Sequence, residues 1–336
     1  MNILIIGRTE MLYETIKLLA RKHQIVGIIS AQASPEYAKK LDDFELLAEE
    51  LGCPFLFTTK LDDEAVKFIQ SIDVEIAVSI NWVSVIGLNI ISLIPKGILN
   101  AHFGDLPLYR GNAVINWALL RHETTITLTI HFMQADELDS GDVLLKKTMS
   151  LSPTTTIKEV VEFAKDNIPV MFLEVVNSIE TNAILPISQN TSTKIPFRCY
   201  PRLPVDSKIN WNYSSKDIDA LIRASTRPYS GAYSFIKIKN ELKKIYFWSS
   251  RIVYEDCNDI GVPGHVIKND ATTGESWIFT GKGILGISLA QYDGSDIDFR
   301  PGNEWKSIRL RFGIDLEEEI IGLYQQINKI SNTKLF

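Results

Sequence analysis

Short apolar runs alternate with amphipathic stretches over the first part of the chain. The runs are almost continuously apolar, which is typical of strands that are covered on both faces. The stretches between them have the apolar spacing and the charged faces of helices. The predicted strands are 2–7, 24–30, 54–57, 75–80 and 97–102, and the predicted helices are 9–22, 35–51 and 61–71. This alternation predicts an α/β fold built on a Rossmann-like, doubly wound and mostly parallel sheet.

The pattern after the fifth predicted strand is mixed. Residues 112–123 have helical spacing, 126–133 alternate β-branched residues as a strand does, and a turn then leads to another strand at 143–149. A long helix is predicted from Thr156, because this threonine and the glutamate three residues later have the spacing of a capping box. Pro169 is expected to interrupt or kink that helix, since proline removes a backbone hydrogen bond.

A change in composition predicts two domains. Residues 186–210 are rich in proline, serine and threonine, which indicates a linker. Beyond it, short strand candidates are separated by glycine-containing turns, a pattern typical of a small β-barrel or sandwich. We therefore predict a first domain at 1–190, a linker at 191–208 and a smaller, β-barrel-like domain with a final helix at 209–336.

Composition narrows the functional classes. The chain has 336 residues and a net charge of -6, so it can bury a sizeable core and does not favour broad, charge-driven binding to nucleic acid. The N-terminus resembles a strand and helix rather than a signal peptide, and no stretch approaches the roughly 18 apolar residues of a membrane span. Cys53, Cys199 and Cys257 predict neither a disulfide framework nor a zinc site. We expect a cytoplasmic protein without a membrane segment or a metal.

The first predicted turn, "IIGRTEML", joins a strand to a helix as a dinucleotide-binding turn does. It contains one glycine, Gly7. The second and third glycines, which allow a pyrophosphate and the helix to approach closely, are missing. We therefore expect a structural turn here rather than a nicotinamide or flavin site.

Polar side chains stand where the fifth predicted strand ends. Asn100 and His102 are two residues apart, so they share one face of an extended segment at the edge where doubly wound sheets bind ligands. An imidazole can accept a proton, an amide N–H can hold a developing oxyanion, and a carboxylate such as Asp139 can stabilise an imidazolium. This set suits acyl transfer, and no Gly-x-Ser-x-Gly elbow accompanies it. A turn asparagine, a core histidine and a turn aspartate are the alternatives, because spacing alone does not bring Asp139 to His102.

Three ordered motifs carry a resemblance to a known family. "NAHFGDLPLYRGNAVINWALL" followed by "LDSGDV" resembles the 10-formyltetrahydrofolate-dependent formyltransferases, whose motifs are Asn-x-His, Leu-Pro-x-Tyr-Arg-Gly and Asp-x-Gly. "DSKINW", "RPYSGAYSF", "FWSSRI" and "PGHVI" extend the resemblance over most of the chain. The chain looks most similar to enzymes that formylate nucleotide-linked amino sugars, including the formyltransferase part of the bifunctional enzyme acting on UDP-4-amino-4-deoxy-L-arabinose. Methionyl-tRNA formyltransferase has the same two-domain plan.

The resemblance implies a role for each motif residue. His102 would be the general base for the substrate amine, Asn100 would hydrogen-bond the formyl oxygen in a tetrahedral intermediate, and Asp139 would hold the histidine ring and favour its protonated form. The implied formyl donor is 10-formyltetrahydrofolate, and no metal is implied. Loop backbone groups would bind the pterin edge. The family's folate-binding segments fall on Ser84, Val85, Ile86, Asn112, Ala135, Asp136, Glu137, Leu138 and Asp139.

Four residues near the motifs are candidate substrate contacts. Arg110 suits a phosphate or the folate tail because its planar fork binds oxyanions, and a structural arginine is the alternative. Trp82 and Tyr109 are candidates for stacking on a sugar or base, with core packing as the alternative. Many family members have Ser-Leu-Leu-Pro where this chain has "GDLP". The aspartate of this segment, Asp105, is expected to pair with Arg110, to contact a substrate amine or to face water. The remaining histidines, His131 among them, are expected to be structural.

The favoured hypothesis is transfer of a formyl group to the amine of a nucleotide-linked amino deoxysugar, in lipopolysaccharide, O-antigen or lipid A sugar biosynthesis. The alternatives are methionyl-tRNA formylation and a non-catalytic, folate-sensing regulator. A tRNA substrate requires a basic face, whereas the C-terminal segment has about equal numbers of acidic and basic residues. The complete catalytic set argues against a sensor. The resemblance further implies a homodimer, and the charge balance does not favour a nucleic-acid partner.

Overall fold

The computed structural model of the protein describes residues 1–135, 137–189, 196–238, 241–314 and 316–333, with the side chains of 316, 318 and 329–333 left out. The chain divides into two compact units, Met1–Arg202 and Leu203–Phe336. Their boundary falls within the predicted linker, whose residues 191–195 lie outside the described part of the chain. No helix in the described ranges is long and apolar enough to cross a membrane.

The first unit alternates strands and helices, as predicted. Its elements are β1 (Asn2–Gly7), α1 (Glu10–Leu19), β2 (Gln24–Ser30), α2 (Leu41–Leu51), β3 (Phe55–Phe57), α3 (Asp63–Gln70), β4 (Ile76–Ile80), α4 (Leu88–Ile91), β5 (Ile98–His102), β6 (Arg110–Gly111), α5 (Val114–Leu120), β7 (Thr125–Phe132), β8 (Val143–Ser150), α6 (Ile157–Glu180) and β9 (Arg198–Cys199).

Seven of these strands form one sheet in the order β3-β2-β1-β4-β5-β7-β8. The pairs from β3 to β5 are parallel, whereas β7 is antiparallel to both β5 and β8. The predicted Rossmann-like, mostly parallel sheet is therefore confirmed. The strand order reverses between β1 and β4, which makes this crevice the switch point at which doubly wound sheets bind ligands.

Both faces of this sheet are covered, which explains its nearly continuous apolar strands. Alternate residues of one strand enter different clusters, because successive side chains of a strand project to opposite faces. One cluster contains Ile3, Ile5, Val78 and Leu99 together with residues of α1 and α6. The other contains Leu4, Ile6, Ala77 and Ile98 together with residues of α3 and α4.

Two local predictions differ from the structure. The predicted helix 35–51 begins only at Leu41, where the Asp43 carboxylate accepts a hydrogen bond from the backbone of Lys40 at 2.8 Å and so caps α2. Pro169 does not interrupt α6, which runs from Ile157 to Glu180. The proline lies on the buried face of this helix, where tertiary packing outweighs the missing hydrogen bond.

The second unit is built on an antiparallel sheet. Its elements are a 3₁₀ turn (Pro204–Ser207), α7 (Ser215–Ser225), β10 (Ala232–Ile238), β11 (Glu241–Tyr254), β12 (Val266–Asp270), β13 (Glu275–Phe279), β14 (Ile284–Tyr292), β15 (Asp298–Phe299), α8 (Pro301–Glu304) and α9 (Leu316–Thr333). The strand order is β10-β11-β14-β13-β12, with β15 against β14. Val266 N donates to Leu310 O at 2.9 Å, and Gly313 N donates to Phe235 O at 3.2 Å. One segment thus joins both outer strands, which gives the predicted barrel-like form.

Candidate active site

Asn100 and His102 lie at the carboxyl end of β5, on one face of the sheet. In register, Asn100 is flanked by Ser79 of β4 and His131 of β7, and His102 is paired with Thr129 of β7. Residues paired across strands project to the same face. The end of β5 therefore carries a cluster of polar side chains, in which both histidines are buried.

Asp139 reaches this cluster from the turn between β7 and β8. Its Oδ2 lies 3.5 Å from His102 Nδ1 and accepts a hydrogen bond from the backbone N–H of Gly111 at 2.8 Å. Residue 139 has a φ of 54°, in the left-handed region that aspartate tolerates better than most residues. The structure thus brings the three predicted catalytic residues together, with the Asp139 side chain only 9% exposed.

His131 belongs to the same cluster, whereas its position within a strand predicts a purely structural histidine. Burial, assisted by the neighbouring His102, lowers the pKa of His131 to about 4, so its ring is neutral at pH 7. Nδ1–H donates to the backbone oxygen of Phe132 at 2.7 Å, and Nε2 accepts from Asn100 Nδ2 at 3.1 Å. His131 therefore fixes the orientation of the Asn100 amide and leaves its second N–H available for a ligand.

The second ring nitrogen of His102 faces a backbone carbonyl. His102 Nε2 lies 2.7 Å from Tyr109 O, and a Cβ added at Gly104 would lie 2.7 Å from both of these atoms. Acceptors therefore stand at both ring nitrogens, with the Asp139 carboxylate at Nδ1. This arrangement complements an imidazolium, the form that a general base reaches after it has taken a proton.

The candidate charged residues of the "GDLPLYRG" segment are paired. Asp105 forms an ion pair with Lys146 of β8 at 2.6 Å. Arg110 Nη1 contacts the Glu137 carboxylate at 2.5 Å, and Nη2 donates to Gln189 Oε1 at 2.8 Å. The Arg110 contacts match the structural alternative, and substrate binding by Asp105 and Arg110 stays a prediction.

The two candidate stacking residues pack within the first unit. Tyr109 is 8% exposed, its ring meets Phe197 edge-on with centroids 4.5 Å apart, and its hydroxyl donates to Glu123. Burial and the Glu123 carboxylate raise the pKa of Tyr109. Trp82 is half-buried against the apolar cluster on the Asn100 face. Both side chains match the core-packing alternative.

Comparison with known proteins decides the family. Residues 1–176 match the family described as Formyl transferase, and residues 204–298 match the Formyl transferase C-terminal domain. The chain belongs to the formyl transferase family. It is therefore an enzyme of the formyl-transferring class, and its polar cluster lies within the matched N-terminal part.

Relatives of this formyltransferase act on different substrates. The methionyl-tRNA formyltransferase of Thermodesulfovibrio yellowstonii is 29% identical over 303 residues, covering 88% of this chain and 92% of the relative. The methionyl-tRNA formyltransferase of Clostridium tetani is 27% identical over 300 residues, which cover 87% of this chain and 92% of the relative. The N-formyltransferase of Helicobacter canadensis, solved with folinic acid and dTDP-3-aminofucose, has a TM-score of 0.62 at 18% identity, covering 86% of this chain and 98% of that one. These likenesses support the family and the fold, and they leave the formyl acceptor open.

The folate-binding positions implied by the resemblance lie on three loops of the formyltransferase. They are 84–86 after β4, Asn112 before α5 and 135–139 between β7 and β8. Ile86 is buried, whereas the two residues before it and Asn112 are exposed. Asp136 lies outside the described residues. Within the described part of the chain, no group of three or more His, Cys, Asp and Glu side chains is placed to hold a metal ion.

The loop after β4 presents an apolar surface. Val83, Val85 and Leu88 are 38%, 73% and 62% exposed, and clustered exposed apolar side chains mark interaction sites. A pterin ring has apolar faces and polar edges, so side chains of this kind can pack against a face while loop backbone groups meet an edge. The residues present therefore fit a folate.

Ser79, beside Asn100, has a fully buried hydroxyl that has no hydrogen-bond partner among the described residues. Because an unsatisfied buried hydroxyl is destabilising, we expect Ser79→Ala to raise the free energy of unfolding by about 1 kcal/mol. Ser30 is the matched control, since it is equally buried at the end of β2 and donates to Gly7 O at 2.9 Å. Ser30→Ala should lower the same quantity by about 1 kcal/mol. Urea unfolding measures both, and equal destabilisation by the two variants would contradict this assignment.

Proposed function

We propose that this formyltransferase transfers the formyl group of 10-formyltetrahydrofolate to the amine of a nucleotide-linked amino deoxysugar. The observation that carries the reaction is the convergence of Asn100, His102 and Asp139 in one buried cluster. It combines an N–H donor, a proton acceptor and a carboxylate, which is the set that acyl transfer to an amine requires. Residues 1–190 would form the catalytic domain and 209–336 the smaller C-terminal domain.

Each residue of the cluster has one role in the transfer. His102 Nε2 takes the proton of the attacking amine as the bond between nitrogen and formyl carbon forms. Asp139 stabilises the resulting imidazolium through Nδ1. Asn100 donates its second N–H to the formyl oxygen, where negative charge develops. His102 then returns the proton to the leaving nitrogen of tetrahydrofolate.

10-Formyltetrahydrofolate supplies the activated formyl group when it is bound. The exposed apolar loop at Val83, Val85 and Leu88 supports a folate site beside β5. A protein of the same fold binds folinic acid together with dTDP-3-aminofucose. The fold therefore accommodates a formylated folate and a nucleotide-linked amino sugar in one chain.

Charge favours a nucleotide-linked sugar over a tRNA. Residues 203–336 contain equal numbers of acidic and basic side chains, so the net charge of -6 resides in the first unit. A protein that binds tRNA neutralises several phosphates with lysine and arginine and needs a basic surface. A nucleotide-linked sugar carries one diphosphate and needs only a local cation.

Methionyl-tRNA formylation is the second candidate. The relative from Thermodesulfovibrio yellowstonii, which is 29% identical, is a methionyl-tRNA formyltransferase. In the second unit, Lys244 Nζ lies 4.3 Å from the ring centroid of Tyr233 and 4.6 Å from that of Tyr246. The guanidinium carbon of Arg227 lies 4.3 Å from the ring centroid of Trp248. Surfaces that combine cations and aromatic rings can stack nucleic-acid bases.

Incubation with 10-formyltetrahydrofolate and UDP-, dTDP- or GDP-linked amino sugars should yield a formamide with at least one sugar, detected by mass spectrometry. A parallel reaction contains initiator methionyl-tRNA. We expect the sugar reaction to change little between about 50 and about 200 mM salt, because one diphosphate releases few counterions. Formylation of the tRNA alone, at a rate that falls steeply with salt, would establish the second candidate instead.

A further inference from the structure

The switch point of the first sheet lies between β1 and β4. Arg8 follows β1 and Asn81 follows β4, so both residues stand at the ligand-binding edge. Gly7 has a φ of 144°, and a Cβ at this position would collide with Ile80 O, so only glycine fits. The single glycine of "IIGRTEML" therefore permits the close approach of two strands and places Arg8 at the switch point.

Neutral groups hold the Arg8 side chain. Nη1 donates to Gln32 O at 2.5 Å and Nε donates to Asn81 O at 3.4 Å. The guanidinium carbon lies 5.8 Å from the ring centroid of Tyr37, whose hydroxyl accepts a hydrogen bond from Asn81 Nδ2 at 3.1 Å. Arg8 is thus half-buried and tied to the backbone that follows β2 and β4.

No carboxylate of the described residues forms an ion pair with Arg8. Glu10, the acidic residue next along the chain, pairs with Lys165 at 2.8 Å and accepts a hydrogen bond from Ala38 N at 3.2 Å. Arg110, by contrast, is paired with Glu137. In a unit with excess negative charge, an arginine without a carboxylate partner at the ligand-binding edge is suited to an external anion.

We propose that Arg8, together with the Tyr37 hydroxyl, binds the diphosphate of the nucleotide-linked amino sugar, an inference that rests on the proposed function. Strands of a sheet lie about 4.8 Å apart, so β1 is about 10 Å from β5, the strand of Asn100 and His102. A hexose with its first phosphate spans a comparable distance. A diphosphate at Arg8 therefore places the sugar amine at the polar cluster.

The chemistry of the two side chains suits a diphosphate. Arg8 uses one N–H on each of two backbone oxygens, which leaves further donors of its planar fork for phosphate oxygens. Burial raises the pKa of Tyr37, although the positive charge of Arg8 opposes this effect. The Tyr37 hydroxyl therefore keeps its proton and can donate it to an anion.

Arg8→Gln removes the charge and keeps a polar side chain. We expect it to raise the KM for the nucleotide sugar roughly 10-fold, as loss of a charge-assisted hydrogen bond does, with kcat and the Kd of folinic acid unchanged. Calorimetry with UDP, dTDP and GDP identifies the nucleotide that the wild type binds. In Arg8→Gln, the Kd of that nucleotide should rise by the same factor. Arg21→Gln is the matched control, because Arg21 is exposed just beyond the opposite end of α1, and it should change none of these values.

Tyr37→Phe removes the hydroxyl donor while it keeps the aromatic ring and leaves Arg8 unchanged. It should therefore raise the nucleotide Kd roughly 3-fold. If Arg8→Gln melts at the wild-type temperature and binds the nucleotide with unchanged Kd, the inference is overturned while the proposed function stands. If Arg8→Gln does not fold, an unchanged nucleotide Kd in Tyr37→Phe overturns it equally. Formylation of tRNA and of no sugar by the wild type would overturn both.

Discussion

His102→Ala should lower kcat for formyl transfer by roughly 10²- to 10⁴-fold, the factor that a general base contributes. His131 lies in the same cluster but cannot replace it, because its pKa of about 4 makes it a weak base. The Kd of folinic acid should stay within about 2-fold of the wild-type value, since the proposed folate contacts lie on other loops. Steady-state formation of the formamide and calorimetric titration of folinic acid measure the two effects separately.

A histidine of the second unit provides the control for this prediction. His265→Ala changes the same residue type outside the polar cluster and should keep the wild-type kcat. His102→Ala also leaves the buried Asp139 carboxylate facing an apolar side chain, so the more polar His102→Asn should be assayed beside it, with melting temperatures for both. Retention of kcat in folded variants of His102 would remove this residue from the mechanism.

The placement of Asn100 and His102 could be predicted from the sequence, because they are two residues apart at the end of an apolar strand. Side chains two residues apart in a strand project to the same face. That pattern is local, and the structure places both side chains on one face. The distance from Asp139 to His102 could not be predicted in the same way. It depends on a left-handed residue at 139 and on a hydrogen bond from Gly111, and these are properties of the folded chain.

The sequence alone predicts a structural role for His131, because the surroundings of this residue depend on the order of the strands. The alternation of polar and apolar residues in 126–133 places Thr127, Thr129 and His131 on one face of a strand. This alternation is a signal that can reveal the site, since a polar face is unusual in a buried strand. Only the antiparallel pairing of β7 with β5 sets His131 opposite Asn100, and no local pattern specifies which strand β7 adjoins.

The departure from the commoner family motif changes the loop that follows β5. Gly104 leaves room for the contact between His102 Nε2 and Tyr109 O, and Asp105 ties the loop to Lys146 of β8 at 2.6 Å. A side chain at 104 would displace one of those two atoms. The glycine of "GDLP" therefore permits the close contact of Tyr109 O with His102.

Asp139→Asn should lower kcat by about 10²-fold. This loss is smaller than the largest loss expected for His102→Ala, which is roughly 10⁴-fold. Gly111 N–H donates to Asp139 Oδ2 at 2.8 Å, so an asparagine must place its oxygen there, because an amide N–H would face another donor. The same oxygen lies 3.5 Å from His102 Nδ1, so the ring keeps its tautomer. The variant thus removes the negative charge that stabilises the imidazolium, and steady-state kinetics measure that loss.

A double variant tests whether Asp139 acts through the histidine. If it does, His102→Ala/Asp139→Asn should have the kcat of His102→Ala alone, because the charge no longer has an imidazolium to stabilise. Asp142→Asn, at an exposed position of the same turn, is the matched control and should keep the wild-type kcat. A double variant whose loss equals the product of the two single losses would show that Asp139 acts independently of His102, and the role assigned to its carboxylate would then be wrong.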